Sequence, residues 1–66
     1  MKVIINGDIN IIGDGVSIND LVTNLNIDPA QIAIERNLEI VPACEYASTY
    51  LLENDKIEIV RFIGGG

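Results

Sequence analysis

MKVIINGDINII, residues 1–12, decides the fold. Two β-rich runs flank Asn6-Gly7, a pair that tolerates positive φ at both central positions of a type I′ turn, whose twist suits a hairpin. The stretch predicts one strand over about 1–6 and a second over about 8–12. On the first, Met1, Val3 and Ile5 share one face while Lys2 and Ile4 share the other. An isolated hairpin is marginal in water, so the rest of the chain has to cover that apolar face.

The cover comes next. In GVSINDLVTNLNIDP, Ile18, Leu21, Val22 and Leu25 fall at i, i+3, i+4 and i+7, one apolar stripe of a helix. Ser17 is a suitable N-cap, with Asp20 three residues on in an approximate capping box near the positive helix end. The helix is predicted over about 18–25, and Asp28-Pro29 opens at most a short turn. QIAIERNLEIVP predicts a second hairpin, with strands near 31–36 and 39–41, a tight turn at Asn37-Leu38 and a stop at Pro42. The segment 43–55 has mixed periodicity and reads as a loop with one helical turn, closed by a turn at Asn54-Asp55. KIEIVRFI then predicts a last strand over about 56–62.

The order is β-β-α-β-β-β. The first and last strands are the most apolar, which suits the centre of a sheet. If they pair in parallel, one helix covers one face of a mixed four- to five-stranded sheet, the α+β arrangement called β-grasp or ubiquitin-like. Residues 1–63 are expected to form this domain, and Gly64, Gly65 and Gly66 are expected to form a flexible tail leaving the end of a central strand.

Composition narrows the function. Sixty-six residues make one domain, near the lower limit for a single core. One cysteine precludes an internal disulfide, and without histidine the usual four-ligand zinc set is missing. No metal site is expected. Stability rests on packing, for which 48% hydrophobic residues and a mean hydropathy of +0.33 suffice. The lone cysteine suits a reducing compartment, no signal-peptide pattern is read at the start, and apolar runs are far shorter than the ~20 residues that span a bilayer. A cytoplasmic protein without a membrane partner is expected. A net charge of −6 disfavours nucleic acid and favours docking on a basic protein surface.

Catalysis by the chain itself is not expected. Histidine, the usual general base near neutral pH, is absent. The carboxylates read as scattered over turns and solvent faces. Cys44 has no basic neighbour to lower its pKa and reads as a partly buried, ordinary thiol. Gly13 and Gly15 lack the spacing of a phosphate loop and read as a turn.

The terminal glycines offer different chemistry. Lacking Cβ atoms, they form a slender segment able to thread a narrow channel and present the Gly66 carboxylate to another protein's active site. A carboxylate can attack the α-phosphate of ATP, and the acyl-adenylate formed is open to sulfur or amine nucleophiles.

Taken together, MKVIING, ERNLEIVP, NDKIEIV and the closing GGG resemble the ThiS family of sulfur carriers in thiamin (thiazole) biosynthesis, over essentially all 66 residues. Leu38 departs from the pattern, which usually has glycine after the asparagine; leucine is ill suited to positive φ, leaving the turn type open. The resemblance implies activation of Gly66 by a ThiF-type adenylating enzyme using ATP and magnesium. It further implies a thiocarboxylate at Gly66, formed with sulfur from a cysteine desulfurase, and delivery of that sulfur to the thiazole synthase ThiG. Gly64 and Gly65 would supply reach. The same tail also fits the small subunit of molybdopterin synthase or a ubiquitin-like modifier, and a non-covalent β-grasp binding domain is a third possibility. Strand periodicity adds a docking face. With Val3, Ile5, Ile57 and Ile59 under the helix, Ile4, Glu58, Val60 and Phe62 face outward, and Ile4, Val60 and Phe62 are expected as neighbours in an exposed apolar patch beside the tail. The competing expectation is that loop 43–55 folds over it.

Overall fold

The computed structural model describes residues 1–62. The chain forms β1 (Lys2–Ile5), β2 (Asp8–Ile11), α1 (Ile18–Asn24), β3 (Ile32–Arg36), β4 (Glu39–Val41) and β5 (Lys56–Arg61), with short 3-10 turns at Pro29–Gln31 and Ala43–Glu45. The strands lie in the order β2-β1-β5-β3-β4. β1 and β5 are parallel at the centre, and every other pairing is antiparallel. This is the expected β-grasp sheet. The expected tail, Gly64 to Gly66, lies outside the described residues.

Local chemistry explains the boundaries. Asn6 and Gly7 take φ 49° and 85° between β1 and β2, as the hairpin requires. Ser17 Oγ accepts from the Asp20 N–H at 3.0 Å, and Asp20 Oδ2 accepts from the Ser17 N–H at 3.1 Å, so the capping box is complete. The helix stops where Asn26 turns left-handed at φ 56°. There the Ile27 N–H donates to the Val22 carbonyl and the Asn26 N–H to the Thr23 carbonyl, a Schellman ending. Asn37 and Leu38 both have positive φ, 52° and 72°, so the β3–β4 turn is also type I′ although a leucine occupies its second central position.

The core lies between α1 and one face of the sheet. Val3, Ile32, Ile34 and Ile57 from the strands meet Ile18, Leu21 and Val22 from the helix, joined by Tyr46 and Leu51. Those last two come from segment 43–55, which therefore packs on the helix side of the sheet. Its backbone is tied there by Ile18 N–H to Thr49 O, Asn19 N–H to Tyr46 O and Leu51 N–H to Val16 O. The expectation that this loop folds over the outer face fails, because Tyr46 and Leu51 gain more by completing the core.

Two further expectations are corrected. Cys44 is exposed rather than partly buried, since the 3-10 turn at Ala43–Glu45 contributes nothing to the core. Asp55 is no solvated turn residue but is 5% exposed. Its carboxylate accepts from Arg36 Nε at 2.8 Å, Asn37 Nδ2 at 3.0 Å and the Leu52 N–H at 2.8 Å. Burial pushes this carboxyl up, but the Leu52, Arg36 and Asn37 donors and the guanidinium charge outweigh it and hold its pKa below the usual value. The clasp fixes the start of β5 against the β3–β4 turn.

Candidate functional site

The candidate site is the C-terminal end of β5 and the sheet face around it. β5 pairs with all of β3, from Ile57 opposite Arg36 to Arg61 opposite Ile32. Phe62 N–H then donates to the Gln31 carbonyl at 2.8 Å, carrying the ladder one residue further. On its other side β5 outlasts its neighbour. β1 ends at Ile5, opposite Ile57, and the chain turns away at Asn6. The Asn6 side chain takes the place of a strand there. Its Oδ1 accepts from the Ile59 N–H at 2.7 Å and its Nδ2 donates to the Ile59 carbonyl at 3.4 Å. In the sequence this residue signals only a turn former, and Asn-Gly alone carries no signal for the second role.

Beyond this cap the outer face is apolar. Val60 and Phe62 are 53% and 56% exposed, and Ala33 stands opposite Val60 on β3. Of the three expected patch residues, Val60 and Phe62 are thus both exposed and two positions apart in the chain. Ile4 does not join them. The β1–β5 register sets Ile4 beside Lys56, four residues short of Val60, or about 13 Å along the strand. Ile4 pairs instead with Ile9 of β2.

Below Val60, Glu58 faces Glu35 directly across β5 and β3. Opposed like charges destabilise a sheet, and here they sit beside the apolar patch, where a partner's cations would relieve them. Periodicity could place both glutamates outward but not opposite each other, which depends on register.

The remaining surface of the described residues offers one cleft to consider. An open cleft of about 210 Å³ beside β4 is lined by Arg36, Glu39, Ile40, Val41, Glu45 and Thr49, and its arginine is already engaged by Asp55. Among the described residues no cluster of three or more His, Cys, Asp or Glu could hold a metal ion, and no helix is long and apolar enough to cross a membrane.

Known proteins similar to this chain in sequence or in fold point one way. The chain is 44% identical over all its 66 residues to a thiazole synthase of Paramagnetospirillum magneticum, and it spans only 20% of that protein's length. It spans the same share of a second thiazole synthase, from Magnetococcus marinus. It is 38% identical over 53 residues, 80% of each chain, to the sulfur carrier protein ThiS of Bacillus subtilis. The crystal structure of a thiamine biosynthesis protein (ThiS) from Geobacter metallireducens superposes over the full length of both chains with a TM-score of 0.86 at 22% identity, a likeness of fold. The sequence model of the ThiS family matches residues 3–66, so this chain belongs to the ThiS family.

Proposed function

We propose that this protein is a sulfur carrier of thiamin biosynthesis, with the Gly66 carboxylate as the group that bears the sulfur. The observation that carries this reading is the family match, which runs through Gly66 and so includes the three terminal glycines. The fold supports it, because β5 delivers the chain to that end from the centre of the sheet.

The chemistry follows from a carboxylate. A ThiF-type adenylating enzyme, using ATP and magnesium, lets a Gly66 oxygen attack the α-phosphorus and expel pyrophosphate. The terminal sulfur of a persulfide, supplied by a cysteine desulfurase, then attacks the acyl carbon and AMP departs. A second thiol cleaves the remaining S–S bond, taking up the oxidising equivalents as a disulfide, and leaves a thiocarboxylate on Gly66. The protein positions this group and does no catalysis. Gly64 and Gly65, without Cβ atoms, let the end enter a channel too narrow for other residues. ThiG is the proposed sulfur acceptor, supported by the two thiazole synthases that contain a stretch similar to this whole chain.

Docking falls to the patch at Val60 and Phe62, with Glu35 and Glu58 beside it. An apolar patch edged by acid suits a partner surface that is apolar with a basic rim, where opposite charge speeds encounter. Ile4 is too far along the sheet to share that contact and is not proposed as part of it.

Deletion of Gly66 tests the proposal. ATP–pyrophosphate exchange by the adenylating enzyme is expected to disappear while the domain keeps its fold. Exchange that persists with the deleted protein overturns the reading.

A further inference from the structure

The two edges of the sheet are built differently. β4 is three residues long, begins with Glu39 and is followed at once by Pro42, features that discourage strand addition. β2 has no proline, no bulge and no lysine, and its two isoleucines, Ile9 and Ile11, are 66% and 77% exposed.

The hydrogen-bond pattern makes this edge open. Met1 and Ile12 exchange both backbone bonds across the hairpin. Antiparallel pairs alternate between bonded and non-bonded positions. Val3–Asn10 and Ile5–Asp8 are therefore bonded pairs, while Lys2–Ile11 and Ile4–Ile9 are not. It follows that Ile9 and Ile11 turn their N–H and C=O groups away from β1. Among the described residues no hydrogen bond from elsewhere in the chain reaches either one.

We propose that β2 is a self-association edge, and that a second copy of this chain adds its own β2 in antiparallel register centred on Asn10. Self-complementarity is what selects a second copy. In this register Ile9 faces Ile11 of the second copy and Ile11 faces its Ile9, so all four outward pairs of N–H and C=O groups close as hydrogen bonds. The isoleucines meet as cross-strand pairs on one face. Asp8 falls opposite Ile12 of the second copy, which keeps the two aspartates apart. The contact is isologous and closes as a twofold dimer, so it does not propagate into fibres.

The dimer is weak. A four-residue edge buries less than the roughly 1,200–2,000 Å² of a stable interface, and two copies of charge −6 repel. A dissociation constant on the order of a millimolar is expected. Because β5 runs antiparallel to β2, the two β5 strands point in opposite directions in the ten-stranded sheet. The Val60–Phe62 faces then stand at opposite ends, so a partner engages each copy unhindered.

Sedimentation equilibrium and amide NMR over a concentration series reaching millimolar test this. A monomer–dimer equilibrium is expected, with shift changes confined to Asp8–Ile12. Salt is expected to strengthen it by screening the repulsion. Ile9→Pro removes an outward N–H without touching the β1–β2 ladder, and Ile11→Lys charges the edge; each is expected to weaken association about ten-fold or more. If Ile9→Pro loses its native amide spectrum, Ile11→Lys alone decides. A protein that stays monomeric throughout, or a dimer that folded edge variants leave unchanged, overturns the proposal.

Discussion

Asn6 and Ile59 are joined through both ends of one amide: Oδ1 takes the Ile59 N–H at 2.7 Å and Nδ2 gives to its carbonyl at 3.4 Å. The side chain thus ends β1 while allowing β5 to continue. Asn6→Gly keeps the positive φ and removes both bonds, and is expected to cost about 1 kcal/mol in urea unfolding. Asn6→Ala adds a left-handed penalty of about 1 kcal/mol. In both, amide exchange at Ile59 is expected to quicken; exchange at the wild-type rate would show that the side chain does not cap β5.

Asp55 makes stability sensitive to acid. Its pKa is lowered in the folded protein, so its unfolded form, near 3.9, binds a proton first as pH falls. The stabilisation is fully present above about pH 4 and is lost as pH drops through the lower folded value. Asp55→Asn is expected to cost about 2–4 kcal/mol at neutral pH, because an amide N–H meets donors at a buried site. Denaturation midpoints below pH 4 should then vary less in this variant than in the wild type, and equal slopes would exclude Asp55 as the source.

Leu38 is 77% exposed at φ 72°, a strained conformation without compensating burial. Leu38→Gly removes a left-handed penalty of about 1–2 kcal/mol and adds the chain entropy of glycine. A net gain of about 0.5–1 kcal/mol in urea unfolding is expected, and a loss would mean the leucine packs in a way its exposure does not reveal.

Phe62→Glu places a charge in the proposed docking face, at a position already 56% exposed. The domain is expected to fold as before while adenylation by the ThiF-type enzyme is blocked. Unchanged adenylation would remove Phe62 from the interface.

The pattern of residues foretold the elements better than their alignment. Asn6-Gly7 announced the first hairpin, the stripe from Ile18 to Leu25 with Ser17 announced the helix, and the apolar runs at Val3–Ile5 and Ile57–Val60 announced the centre of the sheet. These signals are local, carried by turn chemistry and periodicity. Register between β1 and β5 is not local. The two strands are joined through the helix and a second hairpin, so packing rather than a turn sets their offset. For that reason strand periodicity alone sets Ile4 beside Val60, whereas the register sets it beside Lys56. The burial of Asp55 is non-local for a related reason: only its distant partners Arg36 and Asn37 make burial of a turn aspartate tolerable.

The central claim concerns Gly66, and intact-mass analysis of the protein purified from its native host under thiamin limitation tests it most directly. A species in which one oxygen at the C-terminus is replaced by sulfur, absent when the adenylating enzyme is deleted, is the expected result. A branched adduct on a target lysine, or an unmodified C-terminus under those conditions, would contradict it.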